Sequence, residues 1–419
     1  MLLPHSIINL VLSYLSWTTE EDITPVPPTL SFQLRHLHAV SPSANVLFHD
    51  VPQVTSFQEP YLAKSRLIRT ARPSSMEAFQ VARRRSREEG VSEDLQWVYD
   101  EILGPDVESR ETLLTLANMT SNAYTSPDKK DWHPLDANWT TNYPFGWEPD
   151  EDGFRGYVFA TPDNSTVVLS IKGTSVPIVG GGPTTKKDKI NDNLLFSCCC
   201  ARVDWSWSTV CGCYRGGRKC DQNCVESALV DDSLFYPVGI NLYNNLTYMY
   251  PHSNIWVIGH SLGGSLGALM GTTFGVPVVA FEAPGERMAA RRLHLPSPPS
   301  TQHITHVYNT ADSIAMGSCT GVLSACATAG YALESKCHLG QTIVYDTVSN
   351  LSWSVGVTSH VISTVIENVL SKPWPPAEEV GREVPVPASQ DDCVDCFDWE
   401  YGDFPLESKL GSTTQSRCR

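Results

Sequence analysis

The sequence predicts an α/β fold: a mostly parallel central sheet with helices on both faces and disulfide-rich insertions. Three observations carry this. From Asn223 onward, apolar strand-like runs alternate with helical stretches, the pattern of strands joined by crossover helices. The run Val257-Ile258-Gly259-His260-Ser261-Leu262-Gly263-Gly264 sets Gly-x-Ser-x-Gly between one such strand and the next helix. A chain of 419 residues, 41% of them hydrophobic, is long enough to bury one large core.

In chain order, residues 1–20 contain an apolar run at 7–17 with three polar interruptions. It is too short and mixed for a typical membrane span and is assigned a signal or signal-anchor role. Residues 20–74 hold short strand-like runs such as Asn45-Val46-Leu47-Phe48 between proline-rich breaks. Ser75 to Glu89 reads as a charged helix whose Arg83-Arg84-Arg85 marks a solvated face. Glu108 to Ala123 carries leucines at 113, 114 and 116 and reads as an amphipathic helix. Gly156–Ala160 and Val167–Ile171 flank a Pro-Asp-Asn turn and predict a hairpin.

Residues 179–217 read as a long irregular stretch. Its glycines, Gly180-Gly181-Gly182-Pro183-Thr184-Thr185-Lys186-Lys187, lack the Gly-Lys-Ser/Thr ending of a phosphate loop, so nucleotide binding is set aside in favour of a disulfide-tied loop. A helix from Asn223 to about Tyr250 follows, then the strand Ile255–Ile258 and a helix from Ser261 to Thr273. The strand Pro277–Phe281, a helix over Gly285–Leu293 and the strand Ile304–Tyr308 complete the regular region. A main domain is thus expected over 21–371. Beyond Lys372 the chain is proline-rich and acidic, and 372–419 is expected to be a loosely ordered, cysteine-containing tail.

The formal charge of −16 argues against nucleic-acid partners. Thirteen cysteines, clustered at 198–200, 211–224, 319–337 and 393–418, are joined by five Asn-x-Ser/Thr sequons at Asn118, Asn138, Asn164, Asn245 and Asn350. Both point to the secretory route, where disulfides persist. The rival reading is zinc at Cys211, Cys213, Cys220 and Cys224, whose spacing fits no common finger.

A serine hydroxyl needs a base and oxyanion donors before it attacks a carbonyl. Gly259 and Gly263 clear space for a sharp strand-to-helix turn, the nucleophile elbow of α/β-hydrolases. Ser261 is therefore the expected nucleophile, and the Leu262 N–H, at the helix start, one oxyanion donor. Thr174, after the strand ending Ile171-Lys172-Gly173, is the second. Hydrolases of this type run Ser, Asp, His along the chain. Asp312, just past Ile304–Tyr308, is the expected acid, with Asp346 as competitor. His360 is the expected base; His338, beside Cys337, is read as structural, and His260 as pointing away across the turn. This chemistry requires neither metal nor cofactor.

The elbow, the Ile-Lys-Gly-Thr strand end and the Asp after Thr-His-Val-Tyr resemble the class 3 lipases, and among them the fungal autophagy-related vacuolar lipases. Three longer runs extend the resemblance: Tyr143-Pro144-Phe145-Gly146-Trp147-Glu148-Pro149-Asp150, the stretch from Lys189-Ile190-Asn191-Asp192 to Cys200, and Asp392-Cys393-Val394-Asp395-Cys396-Phe397. It implies a type II single-pass glycoprotein reaching the vacuole through endosomes and multivesicular bodies. It further implies hydrolysis of phospholipid and neutral-lipid esters in vesicles delivered there, phosphoinositide binding, and a triad at Ser261, Asp312 and His360. Ser313 departs from the proline that commonly follows the acid. The alternatives are a soluble secreted esterase of feruloyl type and a catalytically silent lipid-binding protein.

Overall fold

A computed structural model describes residues 28–404, apart from 42–44, 52–59, 91–94, 126–153, 175–184, 204–208 and 233–234. The assigned signal-anchor at 1–20, the sequon at Asn138, the run Tyr143 to Asp150 and Cys418 lie outside the described residues. Among the described residues no helix is long and apolar enough to cross a membrane.

The strands in chain order are β1 (Thr29–Val40), β2 (Val46–Asp50), β3 (Tyr61–Pro73), β4 (Trp97–Pro105), β5 (Gly156–Ala160), β6 (Thr166–Ile171), β7 (Lys219–Asp221), β8 (Asn254–His260), β9 (Val278–Phe281), β10 (Ile304–Asn309), β11 (Gln341–Tyr345), β12 (Ala388–Ser389) and β13 (Glu400–Gly402). Eleven of them form one sheet in the order β12-β11-β10-β9-β8-β6-β5-β1-β3-β4, with β2 paired to β1. β6, β8, β9, β10 and β11 run parallel. An antiparallel half, β5-β1-β3-β4, extends them on one side.

The parallel strands are apolar on both sides because both faces are covered. Ile255 and Val257 of β8 join a core with Leu262, Leu266 and Leu269 of the helix Leu262–Phe274. Trp256 and Ile258, pointing the other way, join a second core with Leu113 and Leu116 of the helix Arg110–Asn122 and with Ile362 and Val365. The helix Met76–Glu89 forms as expected, capped by Ser75 and ended by Gly90 in the left-handed region.

Four expectations change. Within 28–73 the short run at 45–48 forms β2 as expected, but β1 and β3 are long; in β3 buried Tyr61, Ala63 and Ser65 alternate with outward residues that include Lys64 and Arg66, and those charges mask the period. The stretch 179–217 contains the helix Thr185–Phe196. The single helix over 223–250 is two, Gln222–Asp232 and Phe235–Met249. Finally, 372–404 is fastened rather than loose. β12 pairs with β11, β13 pairs with β7, and Cys393 and Cys396 bond to Cys337 and Cys198.

Four further disulfides join Cys199 to Cys220, Cys200 to Cys211, Cys213 to Cys224 and Cys319 to Cys326. The four cysteines weighed for zinc are thus all in disulfides, even where Cys200, Cys211 and Cys213 crowd together. Of the described sequons, Asn164, Asn245 and Asn350 are exposed. Asn118 is half-buried in its helix, with its Oδ1 shut from solvent.

Candidate active site

Ser261 sits where β8 turns into the helix Leu262–Phe274, with φ 55° and ψ −130°, in the strained region typical of an elbow. Two glycines make the turn possible. A Cβ on Gly259 would lie 2.4 Å from the Gly263 carbonyl, and one on Gly173 would lie 2.3 Å from the His260 oxygen and 3.0 Å from the Ser261 Cβ. The elbow is also tied sideways, the Ser261 N–H donating to the Phe281 oxygen of β9 at 3.0 Å.

The structure brings the three expected residues together at the C-terminal ends of the parallel strands. Asp312 follows β10, and its loop meets that of His360 where the Gly356 N–H donates to the Ala311 oxygen at 2.9 Å. His360 Nδ1–H donates to Asp312 Oδ2 at 2.7 Å, which leaves Nε2 to accept from Ser261 Oγ at 2.9 Å. All three side chains are buried. Burial opposes ionisation of Asp312, but the neighbouring His360 and hydrogen bonds from His360, Glu282 and the Ile314 N–H hold its carboxyl below the usual range.

The Leu262 N–H belongs to the first turn of its helix and so has no intrahelical acceptor. Thr174 lines the same pocket as Ser261, and its Oγ1 donates to Asp192 Oδ2 at 2.6 Å. Buried Lys172 donates from Nζ to the Gly173 oxygen at 2.7 Å and faces Asp188 at 3.6 Å. Because the peptide is planar and trans, holding that carbonyl also fixes the opposite direction of the Thr174 N–H. Burial pushes the Asp192 carboxyl up to about 8. A protonated Asp192 can donate to Thr174 Oγ1 and free the threonine proton for the pocket.

Sequence reasoning missed three groups. His260 does not point away: its Nδ1 accepts from the Tyr124 hydroxyl at 2.6 Å, and its Nε2–H donates to the His360 backbone oxygen at 2.7 Å. Burial and the neighbouring His360 lower its pKa to about 3, so it stays neutral in this role. Asp192 falls in a run noted only for its resemblance. Glu282 carries a readable signal, an acid directly after the apolar strand Val278–Phe281. The rejected alternatives are placed elsewhere: Asp346 caps the helix Thr347–Leu351, and His338 is buried against the Ala283 oxygen beside the Cys337–Cys393 bond.

Ser261 and His360 line an apolar cavity of about 200 Å³ with Ile314, Ala325, Leu333 and Val357. A larger cavity of about 600 Å³, walled by Arg202, Tyr214 and Trp399, adjoins it across Tyr331. Chemistry rather than size marks the candidate site, since Ser261 and His360 open into the smaller one. Such a pocket can accept an acyl chain and place its ester carbonyl against Ser261 Oγ.

No family model matches the chain. "Putative lipase ATG15" of Cryptococcus neoformans var. neoformans serotype D (strain B-3501A) is 48% identical over 367 residues, covering 74% of this chain and 70% of that protein. The protein of the same name from Mycosarcoma maydis is 53% identical over 294 residues, covering 68% of this chain and 56% of the relative. Among solved structures, nonglycosylated Yarrowia lipolytica LIP2 lipase shares 16% identity and covers 58% of this chain and 81% of that chain at a TM-score of 0.30. An overlap that small carries no argument, and the α/β-hydrolase fold rests on the strand order and elbow above. The identity and coverage of the relatives place this chain in the ATG15 family of lipases.

Proposed function

We propose that the chain is a serine lipase acting on acyl esters of membrane lipids. The observation that carries this is the continuous hydrogen-bonded line from Asp312 through His360 to Ser261 at the floor of an apolar pocket. Ser261 Oγ attacks the ester carbonyl as His360 Nε2 takes its proton. The Leu262 N–H and Thr174 stabilise the oxyanion, and His360 returns the proton to the leaving alcohol. Asp312 orients the imidazole and stabilises its charged form. Water, activated by His360, then cleaves the acyl-enzyme.

A lipid surface as substrate is supported by the rim of the pocket. Residues 313–333 and 347–359 contain no Asp, Glu, Lys or Arg, in a chain of net charge −16. On these two stretches Val322 is 52% exposed, Leu323 93% and Val355 56%. Their neighbours Ala325, Cys326 and Val357 line the catalytic pocket. Contact of this uncharged rim with a bilayer presents an ester to Ser261 without drawing acidic groups into the interface. In the vacuolar role that the sequence resemblance implies, such hydrolysis breaks open delivered vesicles. Six disulfides and the exposed sequons Asn164 and Asn245, which lie outside both rim stretches, support delivery by the secretory route.

A serine-directed phosphonate ester tests the assignment. One adduct mapped to Ser261, together with loss of ester hydrolysis, is expected. Inactivation with the adduct on another residue overturns it.

A further inference from the structure

Glu282 stands beside the triad and takes no part in the reaction just described. It follows β9 directly, is fully buried, and has φ 45°, a left-handed backbone unusual for glutamate. Its Oε1 accepts from Asn309 Nδ2 at 3.0 Å and its Oε2 from the Asn309 N–H at 3.3 Å. The same Asn309 amide donates to the Ser359 oxygen at 2.9 Å, on the loop that carries His360. The Glu282 carboxyl is also hydrogen-bonded to Asp312.

Two carboxyl groups can share a hydrogen bond only if one of them holds a proton. Asp312 has the surroundings of an anion: His360 Nδ1–H meets its Oδ2 at 2.7 Å, and the Ile314 N–H meets its Oδ1 at 2.8 Å. Among the described residues, the titratable or charged groups around Glu282 are Asp312, His360 beyond it, and Tyr308 of β10, whose hydroxyl accepts from Gln390. None is a cation paired to Glu282. Burial, and then the charge of Asp312, raise its carboxyl well above the ordinary range.

We propose that Glu282 is a positioning residue: it remains protonated and donates in a hydrogen bond to Asp312, turning that carboxylate so that its free oxygen meets His360. The inference rests on the serine-hydrolase reading. A neutral donor steadies Asp312 without setting a second negative charge against it, and a left-handed backbone at the end of β9 keeps the carboxyl inside the site.

The test is kcat/KM on a soluble short-chain ester across pH for wild type, Glu282→Gln and Glu282→Leu, with a melting curve for each. Glutamine can accept from Asn309 and donate to Asp312, so Glu282→Gln is expected to stay within about threefold of wild type with the acid limb of the profile in place. Glu282→Leu is expected to lose about 10- to 100-fold, mainly in kcat, as a hydrogen bond to a charged group is removed. Its acid limb moves to higher pH, because Asp312 loses a donor. An anionic Glu282 gives the opposite sign: Glu282→Gln then moves the acid limb down by about one unit as a negative charge leaves the triad. That result overturns the proposal, as does a Glu282→Leu variant with wild-type kcat/KM and an unmoved acid limb. If Glu282→Leu does not fold, Glu282→Gln alone decides by the same criterion. A wild type without ester hydrolysis overturns the hydrolase reading and this inference with it, whereas active but unresponsive variants overturn this inference alone.

Discussion

Replacing Cys198 and Cys396 together by serine releases a cross-link between residues 198 positions apart. In the chain-entropy account a loop of that size restricts the unfolded state by about 5 kcal/mol. The neighbouring Cys337–Cys393 bond shortens the loop, but the dependence is logarithmic and the figure barely moves. A folded domain holds only about 5–15 kcal/mol in all, so the loss is large. At about 2.1 cal/mol/K per residue the melting entropy of a chain this long is about 0.9 kcal/mol/K, and Tm falls by about 6 °C. Circular-dichroism melts of non-reduced wild type and variant read this, with thiol titration of native wild type as the control. Limited proteolysis should also cut first within 394–404, which past Cys393 is then held by the short β13–β7 ladder and by side-chain contacts such as those of Tyr401 with Arg292 and the Cys198 oxygen. Coincident melts, or a native wild type with all its thiols titratable, would refute the cross-link argument.

Asp192 is pushed up to about 8 by burial, against an ordinary 3.8. Its contribution to stability is full below pH 3.8 and is lost as pH rises through about 8. Asp192→Asn therefore gains on wild type in Tm between pH 5 and 8. Neutral buried His38, His260 and His338 slope the other way in both proteins and cancel in the difference; parallel Tm curves would contradict this. Leu323→Asp is expected to cut acyl release from vesicles about 10- to 100-fold, the worth of one buried leucine, while soluble-ester hydrolysis is unchanged. Equal losses on both substrates would remove the rim from the account. Gly259→Ala forces a Cβ onto the Gly263 backbone, which cannot rotate away as a side chain would. A destabilisation of about 3 kcal/mol or more is expected in chemical denaturation, and an unchanged midpoint would show that the elbow has slack.

The parallel half of the fold was legible because each strand from Ile255 to Tyr308 is a short apolar run bounded by turn residues, buried on both faces. The antiparallel half was not. Charges on the outward positions of β3 interrupt its apolar run, and in β1 half-buried Arg35 and His36 and buried His38 break up the apolar positions. The meeting of Ser261, Asp312 and His360 was readable because the elbow fixes Ser261 and chain order leaves few acids and bases beyond it. Of its supporting groups only Glu282 leaves a local sign, an acid at a strand end; His260 and Asp192 act through contacts that span 18 to 136 residues and leave no local pattern. The C-terminal segment misled for a related reason. Proline and acid content describe a solvated surface, while its order comes from two disulfides whose partners lie 56 and 198 positions away.

The central claim is tested most directly by acyl release from phospholipid vesicles, and from a soluble ester, by purified wild type and Ser261→Ala side by side. The account predicts release of fatty acid by wild type and a fall of about 10⁴-fold or more in Ser261→Ala on both substrates, with unchanged Tm. Hydrolysis by Ser261→Ala at a rate near that of wild type would contradict it.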